Sequence, residues 1–241
     1  MKVDFMPTDS RDFILSRLRA APKRDFPARP VLPWPATAPA DRTQLIASFR
    51  QSLQEVGGVL FEVDDRASLY RKLEEILREA GVRRAIATTD EVVGALDLPE
   101  WGKAIGVEIR TPPDFKDRDS FKNAVFREVD AGITGVDFAV AATGTLVLIH
   151  DRSQTRLVSL APVLHVAILP MERVVAEYDQ VIGQVFGAGG RPSQVCLVTG
   201  PSSTADIQAT PFKGMHGPRR LLVLLLGRSR PAHQDFVRLH E

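Results

Sequence analysis

The feature that most constrains this fold is an alternation of two hydrophobic periods that begins at residue 41. Apolar residues at every third or fourth position favour a helix, and short apolar runs favour a buried strand. Helices are predicted over 41–55, 65–80 and 172–186, with a short one beginning at 89–91, and strands over 59–63, 84–88, 138–141, 146–149, 165–169, 194–199 and 220–226. Strands that alternate with helices predict an α/β fold, here a three-layer α/β/α sandwich with a mostly parallel sheet.

Two stretches refine this picture. The tetrapeptide Ala142–Thr143–Gly144–Thr145 separates two apolar runs and predicts an inserted β-hairpin with a glycine in its turn. The run from Arg220 to Leu226 is almost entirely apolar, which is typical of a strand covered on both faces. The polar stretch 101–125 predicts only a loop with a helical turn.

The first forty residues are predicted to form an arm separate from the 41–241 α/β domain. Residues 9–21 have the period of an amphipathic helix. Prolines recur through 22–39, which excludes a helix and favours an extended linker. Trp34 in this linker is expected to dock on the domain or on a partner.

Charge and cysteine content exclude several classes of protein. The chain has 31 basic and 30 acidic side chains, without the basic excess of a nucleic-acid-binding protein. Its single cysteine, Cys196, excludes an intrachain disulfide and an Fe–S cluster held by this chain alone. No apolar run has the roughly 20 residues that span a bilayer, and the first ten residues lack the apolar core of a signal peptide. We therefore expect a cytoplasmic protein without a membrane or nucleic-acid partner.

Three segments have a composition suited to binding. In 131–137, Gly132, Thr134 and Gly135 predict close approach of the backbone to a ligand or to another element, although a tight helix-to-strand connection would also use them. The loop 199–207 follows a strand, is rich in glycine and hydroxyl groups and is predicted to open a helix beyond the carboxyl ends of the strands. It suits an anion, and the alternative is an ordinary helix cap.

The third segment, 213–218, places His216 between two glycines, where an exposed imidazole suits acid–base work or a structural hydrogen bond. His165, inside an apolar run, is predicted to lie in the core or in a cleft. Glu128, Asp130 and Asp137 form a group of carboxylates around the first segment, although their spacing does not establish that they converge. No HExxH, CxxC or His/Cys cluster predicts a metal site.

These segments resemble the signature of the lactate utilization protein C (LutC/YkgG, LUD-domain) family. The matching stretches are 132–148, 159–170, 200–207 and 214–218, and the resemblance is strong across 125–226 and weak before about residue 55. It implies a fold like that of the NagB/RpiA/CoA-transferase superfamily. It also implies a role in oxidising L-lactate to pyruvate together with partner proteins that carry Fe–S clusters. Many relatives have an acidic residue where this chain has Ala142.

Three hypotheses follow. The first is a component of a lactate-oxidising complex that binds a small anionic ligand in a cleft. The second is a free-standing transferase or isomerase acting on an acyl-CoA or a sugar phosphate, with Glu128 or Asp137 as its base or nucleophile. The third is a non-catalytic assembly or regulatory module that docks through the proline-rich arm. The predicted catalytic residues are Glu128, Asp137 and His216, and the predicted ligand-binding residues are Thr134, Gly135, Thr143, Gly144, Thr145, Gly200, Ser202, Ser203, Thr204, Asp206 and Gly217.

Overall fold

A computed structural model describes residues 10–21, 41–186, 192–205, 211–213 and 216–227. Contacts divide the chain into two units, Met1–Pro35 and Ala36–Glu241. In the first unit, the predicted helix is present as α1 (Ser10–Ala20). The proline-rich linker with Trp34, and Asp206 of the predicted site, lie outside the described residues.

The second unit contains helices α2 to α8 and strands β1 to β12. The helices are α2 (Arg42–Glu55), α3 (Arg66–Glu79), α4 (Glu91–Gly94), α5 (Leu98–Ile105), α6 (Arg118–Arg127), α7 (Leu157–Leu160) and α8 (Tyr178–Phe186). The strands are β1 (Val59–Val63), β2 (Arg84–Ala87), β3 (Glu108–Arg110), β4 (Ala131–Gly135), β5 (Phe138–Val140), β6 (Thr145–His150), β7 (Leu164–Pro170), β8 (Val174–Val175), β9 (Gln194–Val198), β10 (Ser203–Ala205), β11 (Pro211–Lys213) and β12 (Arg220–Leu226). Short 3-10 turns cover Pro112–Asp114 and Met171–Arg173.

The main sheet has six strands in the order β1-β12-β7-β4-β2-β3, and every neighbouring pair is parallel. The predicted α/β fold with a mostly parallel sheet is therefore confirmed. The predicted hairpin, β5 and β6, is the centre of a second sheet with the order β8-β5-β6-β9. This second sheet and α2 cover one face of the main sheet, whereas α3 and α5 pack on the other.

Strand β12 shows why its sequence is apolar throughout. Leu222 and Leu224 point into the core beside α3 and α5, and Leu221, Val223 and Leu225 point into the core beside α2 and the second sheet. Successive side chains of a strand face opposite sides, so a strand covered on both faces buries all of them.

Three predicted elements were wrong. Residues 131–137 are not a helix-to-strand connection, because 131–135 form β4 itself in the middle of the sheet. The predicted helix 172–186 begins only at Tyr178, because a 3-10 turn and β8 precede it. The loop after β9 does not open a helix, because Ser203–Ala205 form β10, which pairs with β11 in an antiparallel two-stranded sheet. The unassigned stretch 101–125 contains the end of α5, β3, a 3-10 turn and most of α6.

The close backbone approach predicted for the glycines of β4 is confirmed. A Cβ at Gly132 would lie 1.9 Å from the backbone oxygen of Val158 in α7. A Cβ at Gly135 would lie 2.1 Å from a carboxylate oxygen of Asp90. Both distances are far below van der Waals contact, so only glycine fits at either position.

We predict that Gly132→Ala destabilises the protein by about 2 kcal/mol or more, because the added methyl group overlaps a backbone atom that cannot turn away. The measurement is the urea midpoint of unfolding. Gly183→Ala in α8 is the matched control: a Cβ there meets nothing within 4 Å, and alanine is favoured over glycine inside a helix by about 0.5–1 kcal/mol. Equal midpoints for Gly132→Ala and the wild type would contradict the tight packing of β4 on α7.

Candidate functional site

The loop after β9 crosses the amino ends of β7 and β12. The Ser202 backbone N–H donates to the oxygen of Pro218 at 2.8 Å, and the Arg219 N–H donates to the oxygen of Val163 at 2.8 Å. Gly200 has a φ of 85°, and a Cβ there would lie 2.3 Å from the oxygen of Val56. These contacts fix the loop between the start of β12 and the end of α2.

A cavity of about 200 Å³ lies beside this loop, which we call the amino-end cavity. Its polar groups come from the loop (Thr199, Ser202), from the turn before β12 (His216), from α7 (Ser159), from β7 (His165) and from β9 (Cys196). Gly217 also lines it, and a Cβ there would lie 3.0 Å from the Cβ of Ser202. No carboxylate is among these described lining residues, so their side chains carry no negative charge into the cavity at neutral pH.

His165 is the most deeply placed of these groups. It is fully buried, and its Nε2 lies 2.9 Å from the hydroxyl of Thr134. Its Nδ1 is buried without a hydrogen-bond partner among the described residues. Burial, with a smaller contribution from His150, lowers the pKa of His165 to about 4, so the ring is neutral at pH 7. A buried nitrogen without a partner is costly unless something in the cavity bonds to it.

Cys196 contributes a neutral thiol. Burial raises the pKa of this thiol, and the nearby Arg156 opposes that shift without reversing it. A thiol that stays protonated is a poor nucleophile and a weak hydrogen-bond donor. Cys196 therefore shapes the wall of the cavity and gives it no reactive thiolate.

The hairpin tip lies next to this cavity and is joined to it by hydroxyl groups. The Thr145 hydroxyl lies 2.8 Å from that of Thr199, and the Tyr178 hydroxyl donates to Thr145 at 2.8 Å. Thr143 also bonds to Thr145 at 2.8 Å. Gly144, with a φ of 63°, packs against the backbone of α2, where a Cβ would lie 2.4 Å from the nitrogen of Leu53. The tip thus supports the cavity wall through Thr199.

The structure therefore brings together only part of the predicted site. Gly200, Ser202, His216 and Gly217 line one cavity, and the hairpin tip supports it. Ser203 is exposed in β10, and the backbone of Thr204 belongs to the same strand. Ala142 is exposed at the hairpin turn.

The predicted carboxylates do not converge. Asp130 and Glu128 precede β4. Asp130 accepts hydrogen bonds from the N–H groups of Arg83 and Arg84, and Glu128 lies 4.0 Å from the Arg84 guanidinium. Asp137 follows the opposite end of β4. Because β4 runs between them, Glu128 and Asp137 lie at opposite ends of this strand, so they cannot act as a pair.

The placement of the 199–207 loop was also wrong. Strand β9 belongs to the second sheet, where it pairs with β6, so the loop lies at the amino ends of β7 and β12. The carboxyl ends of β2 and β4 border another cavity, of about 450 Å³, which we call the carboxyl-end cavity. It contains Asp137, Gln154 and Arg173. Burial raises the pKa of Asp137, against the hydrogen bond from Ile149 and the charge of Arg173.

Sequence reasoning missed Ser159 and Cys196 as members of the site, and it left His165 between core and cleft. For His165, the sequence did contain a signal. The strands β4 and β7 are otherwise apolar, and each carries one polar side chain, Thr134 in β4 and His165 in β7. Within the described ranges, no group of three or more His, Cys, Asp or Glu side chains is placed to hold a metal ion. No described helix combines the length and apolar character needed to cross a membrane.

A fully parallel main sheet, covered by α3 and α5 on one face and by α2 and the second sheet on the other, defines an α/β protein. Residues 46–226 match the family model of the LUD domain. The chain belongs to the LUD domain family, as the three segments predicted.

The comparisons with single proteins agree. A lactate utilization protein C of Anoxybacillus flavithermus is 31% identical over 77% of this chain and 81% of that protein. A lactate utilization protein C of Deinococcus radiodurans is 23% identical over 94% of this chain and 95% of that protein. The crystal structure of a DUF162 family protein from Deinococcus radiodurans has a TM-score of 0.56 and 24% identity, covering 78% of this chain and all of that one. This structural likeness shows the shared fold.

We predict that His165 makes stability depend on pH between about 6.5 and about 4. The unfolded chain binds a proton below its ordinary pKa of about 6.5, whereas the folded chain binds one only near 4. The contribution of the neutral ring to the free energy of unfolding is therefore fully present above pH 6.5. It is lost as the pH is lowered, by about 2 kcal/mol between pH 7 and pH 5.

Urea unfolding at pH 7 and pH 5 measures this loss, and His165→Gln should lose about 2 kcal/mol less than the wild type over the same interval. The matched control is His216→Gln, which changes an exposed histidine and keeps the wild-type dependence. The same loss in the His165 variant and the wild type would show that the buried imidazole does not stay neutral.

Proposed function

We propose that this chain is a cytoplasmic component of an L-lactate utilization system. It binds a small carboxylate in the amino-end cavity and works with Fe–S partner proteins. Relatives aligned over most of the chain carry the name lactate utilization protein C, which supports the pathway. The observation that carries the binding proposal is the described lining of the amino-end cavity, which has hydroxyl and imidazole groups and no carboxylate.

The chemistry of the lining fits a carboxylate. A carboxylate presents only acceptors, and burying it without donors would cost several kcal/mol. The hydroxyl group of Ser202 and the imidazole of His216 supply donors from two segments. A volume of about 200 Å³ suits a molecule of several heavy atoms and is smaller than the roughly 300–1,000 Å³ of pockets for drug-sized ligands.

His165 sets the orientation of the ligand in this proposal. If the Thr134 hydroxyl donates to Nε2, the neutral ring carries its proton on Nδ1, the atom without a partner among the described residues. The ring then has one N–H group free to donate to a ligand in the cavity that it lines. Thr134 acts as a positioning residue, because it fixes the tautomer.

The chain's single cysteine assigns the clusters to other proteins, since Fe–S clusters are held by several thiolates. Removing electrons from lactate needs an acceptor, and Fe–S proteins supply one. In this proposal the chain contributes the carboxylate site and its partners contribute the redox centres.

We predict that L-lactate or pyruvate binds the purified chain and that Ser202→Ala weakens binding about tenfold or more, because a hydrogen bond to a charged group is lost. Isothermal titration calorimetry measures the affinity. Ser203→Ala is the matched control: it removes the same hydroxyl one residue away, from an exposed position outside the described lining of the cavity, and should leave the affinity unchanged. Absence of binding by lactate, pyruvate and inorganic phosphate at millimolar concentration would sink the proposal.

We predict further that the tagged chain, expressed together with the genes beside its own, copurifies with a protein that contains iron and acid-labile sulfide. The clusters should stay with the partner when the two proteins are separated, because this chain has one cysteine. Iron and sulfide analysis of each separated protein measures this. Recovery of the chain alone from such cells would contradict the proposed partnership.

A further inference from the structure

The carboxyl-end cavity lies where the chain leaves two neighbouring strands in opposite directions. After β2 the chain passes through α4 and α5 to β3 at the edge of the sheet, and after β4 it passes through the second sheet and α7 to β7 on the other side. The two connections pack on opposite faces of the sheet. A crevice opens between such connections, and in open α/β sheets ligands bind there.

Contacts between three connecting segments hold this cavity in shape. The carboxylate of Asp90, at the start of α4, accepts the Gly135 backbone N–H at 3.1 Å. The Thr89 N–H donates to the oxygen of Ser153 at 2.8 Å, which ties the β2 connection to the turn after β6. Within that turn, the Ser153 and Gln154 N–H groups donate to Asp151 at 2.8 and 2.9 Å.

The side chain of Gln154 has a buried oxygen without a hydrogen-bond partner among the described residues. Only 3% of this residue is exposed, and it lines the cavity. Its side-chain nitrogen donates to the oxygen of Gly135 at 3.1 Å, which fixes the orientation of the amide. The amide oxygen is consequently an acceptor, and it has no hydrogen-bond partner among the described residues. A buried acceptor in this state calls for a donor that the described residues do not supply, such as a bound water or a ligand.

The charges that line the cavity select the ligand. Four carboxylates, those of Asp90, Glu91, Asp137 and Asp151, line it together with one guanidinium, that of Arg173. The guanidinium already donates to the oxygen of Val136 at 3.0 Å and to Glu91 at 3.2 Å. The cavity therefore has an excess of negative charge and of acceptors, which disfavours an anion and favours a positively charged donor.

From these observations we propose that the carboxyl-end cavity is a second ligand site, distinct from the amino-end cavity, and that it binds a small organic cation with an alkylammonium group. The ammonium donates to the amide oxygen of Gln154 and pairs with Asp137. A bare metal ion is disfavoured, because no described group of three His, Cys, Asp or Glu side chains is placed to coordinate one. The volume of about 450 Å³ accommodates a carbon chain behind the ammonium.

The test compares three probes of equal carbon number: 1,4-diaminobutane, 1,4-butanediol and succinate. They are titrated into the full chain at neutral pH and followed by the NMR signals of the Gln154 side-chain amide. We expect saturable shifts with the diamine, and none with the neutral diol or the dianion. Equal binding of the diol, tighter binding of succinate, or no response to the diamine would each overturn the proposal.

Asp137→Asn should weaken diamine binding by about tenfold or more, since it removes the charge while its side-chain oxygen can still accept from Ile149. Asp119→Asn on α6 is the matched control, because Asp119 is exposed and does not line the cavity. It should bind the diamine as the wild type does. Equal weakening in both variants would mean that overall charge, and not the cavity, attracts the diamine, and this too would overturn the proposal.

Discussion

The carboxylate of Asp90 connects the elements around which the rest of the fold is arranged. It accepts hydrogen bonds from the Thr88 hydroxyl and from the N–H groups of Val92, Val93 and Gly135. The first three bonds turn the chain from β2 into α4, and the fourth attaches that turn to the end of β4. Gly135 makes the arrangement possible, since any side chain at this position would overlap the carboxylate. One half-buried acceptor and one missing Cβ therefore fix the junction between β2, α4 and β4.

The two ends of the main sheet provide different chemical environments. Towards the amino ends of β7 and β12, the described lining of the cavity supplies hydroxyl, imidazole and thiol groups without a carboxylate. Towards the carboxyl ends of β2 and β4, the lining supplies acceptors and excess negative charge. The cause is local, because the loops at the amino ends contribute serine, threonine and histidine, whereas the turns at the carboxyl ends use aspartates to cap α4 and to close the turn at Asp151.

Much of the fold could be predicted from the sequence because the responsible signals are local. The apolar run of β12 and the hairpin around Gly144 each follow from residues adjacent in the chain. The true start of α8 could not be predicted, because it depends on the Gln180 side chain, which accepts from the N–H groups of Ala176 and Glu177. Strand β9 was predicted correctly, but its sheet was not, since an apolar run looks the same whichever strand it pairs with.

The site shows the same limit. Ser202 and His216 were predicted from their small, polar surroundings, and they do share a cavity. His165 and Cys196 also line it, but they belong to strands, where the sequence indicates only burial. The sequence left open whether Asp137 and Glu128 converge, and they do not, because β4 runs between them.

Two successive residues of β4 bond to residues that line the two cavities. Thr134 faces His165 at the amino-end cavity, and the next residue, Gly135, bonds through its N–H to Asp90 and through its oxygen to Gln154 at the carboxyl-end cavity. A slide of this strand along its own axis would change all three contacts at once. Residues that line the two cavities are therefore tied to one another through one short piece of backbone, with no side chain of another element between them.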